Sequence, residues 1–166
     1  MFAIRQAIAF NLLKKLIRLK FPSVQRMTTI EFAQTLMNDQ QSQPLILDAR
    51  SEAEFAVSHL AEAQLFDGTN LAIAPALKNV SKHTPIVVYC SVGYRSARVA
   101  QQIMSAGFQD VSNLEGGLFQ WINEGRIAKQ LCPGALVQDG QLTQLVHPYN
   151  AVWGALLNKQ HRLIFD

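Results

Sequence analysis

The sequence predicts an α/β fold built on a central, mostly parallel sheet flanked by helices. Three observations point to it. Short apolar runs at Leu45-Ile46-Leu47-Asp48, Ile86-Val87-Val88-Tyr89 and Val111-Ser112-Asn113-Leu114 alternate with segments long enough for helices. Two of those segments open on the capping-box spacing, at Thr28–Glu31 and Ser51–Glu54. The clearest strand stops abruptly at Cys90, where parallel sheets place their working sites.

Each element has a local reason. Thr28-Thr29-Ile30-Glu31 starts a helix with Phe32, Leu36 and Met37 on one side. Pro44 precedes the first buried strand, Leu45–Asp48. Ser51 to Glu54 starts a second, short helix, and Ala63–Phe66 reads as a weak strand. Asn70 is a candidate cap for a helix to about Val80, against which Pro75 argues for a break or a late start. After the strand at residues 86–89, a helix is expected over Ser96–Ala106, ended by Gly107. Gly116-Gly117 makes a turn into a last helix that stops near Gly125. A further short helix is expected over Ala151–Asn158, with Val152, Trp153 and Leu156 buried.

The chain divides into a basic helical extension (1–21), a body (22–128) and a tail that packs on it (129–166). Net charge is +3, but residues 1–26 hold six cations and no Asp or Glu, so residues 27–166 carry −3. The basic character belongs to the extension, and nucleic-acid binding by the body is poorly supported. In residues 1–20, Phe2, Ile8, Leu12, Leu13, Leu16, Ile17 and Leu19 fall on a broad apolar face, opposite Asn11, Lys14, Lys15 and Arg18. The plainest reading is a helix packed on the body or a partner. A peripheral membrane-surface helix and a transit peptide are the alternatives. Two cysteines are too few for a disulfide framework, so the expected setting is a reducing, cytoplasmic one.

The chemistry centres on Cys90-Ser91-Val92-Gly93-Tyr94-Arg95-Ser96. A strand that ends in a thiol, then a Gly-containing loop and a helix, puts sulfur among backbone N–H groups at a positive helix end. Such a site suits a thiolate that handles a small anion. A thiol in water is mostly protonated at neutral pH. The loop amides, the helix end, Arg95 and Arg98 are expected to favour the thiolate, reachable at the floor of an amide-lined bowl. Gly93 is expected to adopt a positive φ or to sit where a Cβ would clash. Asp48 and Arg50 are expected to hold the loop through ion pairs or hydrogen bonds. His59 reads as structural, Glu115 as a partner of loop amides or Arg50, and Cys132 as structural or a resolving thiol. No spacing suggests a metal site, and no cofactor is called for.

These residues also carry a family resemblance. Leu47-Asp48-Ala49-Arg50, Glu54-Phe55, Ser58-His59-Leu60 and Ala63 resemble the first signature of rhodanese domains. Cys90 to Ser96 resembles their active loop. Gly107-Phe108, Val111, Asn113-Leu114-Glu115-Gly116-Gly117, Trp121 and Gly125 resemble their closing signature. The resemblance implies sulfur transfer from a small sulfur-containing anion such as thiosulfate, through a persulfide on Cys90, to a small or protein thiol. It implies that N–H groups from Ser91 through Val92, Gly93, Tyr94 and Arg95 to Ser96 cradle the anion and that Arg95 contacts substrate. Arg98 is placed in support, with a surface ion pair as its plainer reading. The chain departs from the pattern with Ser58 and Ala61, where Gly and Pro are frequent. It also has Ser91 in place of a basic residue after the cysteine. The alternatives are a cysteine phosphatase or arsenate reductase, or a sulfur-relay or docking module.

Overall fold

The computed structural model describes residues 2–38, 40, 42–69, 75–125, 136–138 and 141–164. Helix α1 (Phe2–Lys20) leads into strand β1 (Gln25–Met27), helix α2 (Thr29–Leu36) and strand β2 (Leu45–Asp48). Helix α3 (Glu52–Val57) and strands β3 (His59–Leu60) and β4 (Gln64–Leu65) follow. Strand β5 (Ile86–Tyr89), helix α4 (Tyr94–Ser105), strand β6 (Val111–Leu114) and helix α5 (Gly117–Asn123) complete the body. The tail adds strands β7 (Leu136–Gln138) and β8 (Gln141–Leu142) and the single turn α6 (Ala151–Gly154).

The main sheet runs β1-β6-β5-β2-β4 and every pairing in it is parallel. A smaller antiparallel sheet, β3-β7-β8, ties the tail to the body. All four residues of β5 are buried, as expected for a central parallel strand covered on both faces. The strand alternation sorts side chains between two cores. Ile86, Val88 and Cys90 face the layer of Val99, Ala100 and Ile103 on α4. Val87 and Tyr89 face Phe32, Leu118 and Phe119 on α2 and α5. The thiol therefore points to the α4 side, and its neighbour Tyr89 to the other.

Both capping boxes form as the spacing predicts, with Thr28 and Ser51 accepting from the amides of Glu31 and Glu54. Strand β1 is not evident in the sequence. Gln25-Arg26-Met27 has no apolar alternation, because an edge strand needs only its backbone, and it pairs with Ser112 to Leu114. The expected helix from Asn70 appears only as a 3-10 turn at Pro75–Leu77, and residues 70–74 lie outside the described residues. Helix α4 starts at Tyr94, two residues before the expected Ser96. Gly93, at φ 99°, turns the chain directly into it.

Two expectations are corrected. Helix α1 does pack on the body, but through Phe10, Leu13 and Ile17, whereas Ile8, Leu12, Leu16 and Leu19 are exposed. On the flanks of that buried face Arg18 forms a two-bond fork with Glu115, and Lys14 Nζ donates to Gln120 Oε1 (3.2 Å). In the tail, α6 ends after one turn. Asn123 then donates to the Leu156 carbonyl and accepts from the Asn158 amide (2.6 and 2.8 Å). Leu157 is thereby buried, Trp153 and Leu156 are half-buried, and Val152 is 76% exposed.

Candidate active site

Cys90 follows the last residue of β5, and the chain must turn at once to reach α4. Gly93 makes that turn, and its amide donates to Cys90 Sγ at 3.2 Å. A Cβ at Gly93 would stand 3.4 Å from both Gly116 N and the Leu114 carbonyl oxygen, on top of the φ strain. Asn113 on β6 closes the turn from below: its Nδ2 donates to the Gly93 carbonyl (3.1 Å). Ser96 Oγ lies 3.4 Å from Sγ and 2.6 Å from Asn113 Oδ1. A hydroxyl has one proton. The shorter bond claims it, so among the described residues the Gly93 amide is the firm donor to Sγ. No side chain caps α4, so its first-turn amides remain aimed at the loop.

The loop carbonyls are held from the other side. The Leu118 and Phe119 amides, in the first turn of α5, donate to the carbonyls of Cys90 (2.8 Å) and Ser91 (3.0 Å). That approach requires Gly117, where a Cβ would come 2.3 Å from the Cys90 carbonyl oxygen. The sequence reading took Gly117 as a turn residue. Its function is to let a helix end touch the cysteine loop.

Glu54 is the main residue that sequence reasoning missed. Besides closing its capping box, its carboxylate takes a fork from Arg95: Nη1 to Oε2 and Nη2 to Oε1, both 2.7 Å. It also accepts from Ser91 Oγ at 3.0 Å. Burial alone would push this carboxyl up. Hydrogen bonds from Arg95 and the Ser51 backbone, with the charges of Arg95 and Arg50, outweigh burial and hold it down at about 2. The sequence signals were a capping-box glutamate and its place in the first family signature, neither of which names a second partner.

Arg95, expected at the substrate, is thus gripped by Glu54, and its guanidinium lies 4.6 Å from the Tyr149 ring centroid. Asp48 and Arg50 are fully buried and paired at 2.7 Å. Arg50 also donates to the Ser58 carbonyl (2.6 Å). Tyr89 donates its hydroxyl to Asp48 (2.6 Å) and accepts from the Leu60 amide (3.1 Å). Burial and the Asp48 charge push the Tyr89 phenol up, which keeps it protonated as a donor. This network fixes β5 one residue before the thiol. Glu115 pairs with Arg18 rather than with Arg50 or loop amides, because its side chain is directed at α1. His59 stacks on Phe55 at 3.8 Å and its Nδ1 contacts the Phe55 carbonyl. Arg98 is exposed and has no ion pair among the described residues. Cys132 lies outside the described residues.

Cys90, Ser91 and Val92 line one side of a cavity of about 830 Å³. Its other walls come from Leu13, Leu16 and Ile17 of α1 and from Tyr149 and Trp153 of the tail. Lys20, Tyr94, Arg95 and Arg98 supply polar atoms. Lys20 Nζ donates to the Tyr94 hydroxyl. The thiol is less open than the sequence suggests: Cys90 has no solvent-exposed surface, because the Gly93 turn, Ser96 and the packed helices close around it. Among the described residues no cluster of His, Cys, Asp and Glu is placed to hold a metal ion, and no helix is long and apolar enough to cross a membrane.

A thiol at the carboxyl edge of a parallel sheet, in a loop that leads into α4 and is bonded through its carbonyls by the first turn of α5, defines a cysteine-centred α/β domain. The chain belongs to the family of the rhodanese-like domain, whose model matches residues 29–124. It is 32% identical over 77 residues to thiosulfate sulfurtransferase GlpE of Pseudomonas fluorescens, covering 46% of this chain and 69% of that one. It is also 32% identical to a tRNA uridine(34) hydroxylase of Staphylococcus saprophyticus, covering 53% of this chain but 28% of the relative. Among solved structures, a rhodanese-like domain protein of Staphylococcus aureus superposes with a TM-score of 0.51 and 28% identity, over 59% of this chain and 91% of that one.

Proposed function

We propose that this chain is a sulfurtransferase that carries a sulfane sulfur as a persulfide on Cys90. The observation that supports this best is the Sγ geometry: a cysteine at the end of β5, bonded by the Gly93 amide and facing the uncapped first turn of α4. Cys90 has no exposed surface in the closed loop, so the loop must give where it lines the cavity to admit a thiosulfate-like donor, whose outer sulfur the Cys90 thiolate attacks. The S–S bond of the donor breaks, and sulfite leaves with the electron pair. The amides around the loop and the end of α4 stabilise the persulfide anion. A thiophilic acceptor (cyanide, a small thiol or a protein thiol) then takes the outer sulfur and restores the thiolate. Arg95, with its fork held by Glu54, braces the loop.

Four residues separate Cys90 from Arg95, where cysteine phosphatase loops have five, and Glu54 already occupies the guanidinium that a phosphate would need. The hydroxylase relatives are matched over only 28–40% of their own length, and a body of net charge −3 suits RNA poorly. The test is thiocyanate formation from thiosulfate and cyanide. The wild type is expected to turn over and Cys90→Ser to be inactive, with mass spectrometry showing one added sulfur on Cys90. Hydrolysis of an aryl phosphate without thiocyanate would overturn the reading. A stable added sulfur with no thiocyanate would recast the chain as a relay to a protein thiol.

A further inference from the structure

Helix α1 is apolar on two sides, and the body covers only one of them. Phe10 and Ile17 are buried, and Leu13 packs beside them. Ile8, Leu12, Leu16 and Leu19 remain 62, 59, 55 and 71% exposed. At 3.6 residues per turn these four fall within about 80° of arc and along about 16 Å of helix, so they form one stripe. Single exposed leucines are ordinary on a protein surface, but a continuous aliphatic row marks a face that something covers. The tail extends it. Tyr149 and Val152 are exposed, and Tyr149 and Trp153 share the cavity wall with Leu16 and Leu19.

The charge around the stripe selects what covers it. Lys15 lies at its edge, exposed and without an ion pair among the described residues. Lys20 and Arg98, both exposed, line the same cavity as Leu16 and Leu19 and so stand near the C-terminal end of the stripe. Residues 1–26 contain six cations and no Asp or Glu. Among the described residues no acid lines the cavity beside the stripe either. A second copy docked through the same stripe would bring cations against cations, with no acid in either segment to answer them. A partner that is apolar within and anionic at its surface answers both features, and a bilayer containing anionic lipid is such a partner.

From this juxtaposition of an exposed aliphatic stripe and acid-free cations, we propose that the outer face of α1 docks on an anionic lipid bilayer. The helix lies parallel to the membrane plane, with Ile8, Leu12, Leu16 and Leu19 at the level of the upper acyl chains and Lys15, Lys20 and Arg98 at the headgroups. The docking is peripheral, because α1 is not long and apolar enough to cross a membrane. It leaves the attachment of α1 to the body intact, since Phe10, Ile17 and the Arg18 fork to Glu115 lie outside the stripe. Leu16 and Leu19 also line the cavity, so the docked face borders its rim. Docking needs no sulfur chemistry, so it stands or falls apart from the sulfurtransferase reading.

The test is flotation of the full chain with vesicles of phosphatidylcholine alone and of phosphatidylcholine mixed with phosphatidylglycerol. The wild-type partition coefficient is expected to be at least about tenfold higher on the mixed vesicles, since each cation at the face gains from the anionic surface. High salt should bring it down toward the phosphatidylcholine value. The double variant Ile8→Ser, Leu12→Ser changes two exposed positions outside the cavity wall and should lower the coefficient at least about tenfold. Lys15→Gln should lower it about fivefold on the mixed vesicles and leave it unchanged on phosphatidylcholine. Urea denaturation checks that both variants keep the wild-type midpoint, as exposed substitutions should. Lys15→Gln, which touches no apolar contact, carries the test should the double variant lose its fold. No flotation, equal flotation on both compositions, or flotation unmoved by these substitutions overturns the proposal. Sedimentation equilibrium without vesicles covers the rival occupant. A dimer that the double variant dissolves, with no flotation of the wild type, overturns the proposal and assigns the stripe to a second copy of the chain.

Discussion

Glu54→Gln separates the architecture of the loop from its chemistry. The substitution keeps the size of the side chain and removes the charge that Arg95 grips through two 2.7 Å bonds. The magnitude follows from linkage. A carboxyl held at about 2 in the fold, against an ordinary 4.5, contributes about 3 kcal/mol at neutral pH. Breaking a buried ion pair by removing one partner leads independently to about 3–5 kcal/mol, and Arg95 is 26% exposed, which favours the lower end. Because the folded value is depressed, the contribution is fully present above pH 4.5 and is lost as the pH falls toward 2. Urea denaturation of wild type and variant should therefore differ by about 3 kcal/mol at pH 7, and the two curves should converge on acidification through that window. Arg95→Met and the double variant complete a cycle, in which the second substitution should cost little once the first is made. A difference under about 1 kcal/mol at pH 7, or one that does not shrink in acid, would show that Glu54 does not brace the loop.

Three other substitutions probe separate supports. Gly117→Ala places a Cβ 2.3 Å from the Cys90 carbonyl oxygen at a φ of 57°. It should cost about 1–3 kcal/mol by thermal unfolding and lower thiocyanate formation, since the α5 amides can no longer seat on the loop. Asp48→Asn leaves the fully buried Arg50 without its counter-charge. The expected loss is about 3–5 kcal/mol in urea, and a loss below 1 would mean that the Ser58 carbonyl suffices. Tyr89→Phe removes a hydroxyl that serves both Asp48 and the Leu60 amide. It should cost about 1–3 kcal/mol by the same measurement, with Cys90 still able to form a persulfide by mass spectrometry.

What was legible in the sequence was whatever a local pattern encodes. Strand β5 is apolar because both its faces are covered, and helices α2 and α3 announce themselves through caps whose partners lie three residues away. Gly93 could be read because a positive φ is a property of one residue. What escaped depends on pairs remote in the chain. Arg95 meets Glu54 across 41 positions, and Arg18 meets Glu115 across 97. Charge type and spacing carry no information about which acid a given cation will meet. Strand β1 escaped for a related reason, since its pairing uses backbone groups that every residue has. The face chosen by α1 was misjudged because the helix is apolar around more than half of its circumference. The partners at Glu115 and Gln120, which accompany the observed face, lie far away in the chain.

That choice of face links the appended helix to the chemistry. Glu115 lies between β6, which carries Asn113, and Gly116-Gly117, which lead the α5 amides onto the cysteine loop. The Arg18 fork therefore attaches α1 at the segment that shapes the thiol's surroundings. Rotating α1 to bury Ile8, Leu12 and Leu19 would break that fork and carry Leu13 and Ile17 away from the cavity. The body supplies the loop around Cys90, and the extensions before and after it supply the facing walls of the cavity. Changes in Glu54 or Gly117 should then lower sulfur transfer by disturbing the loop itself.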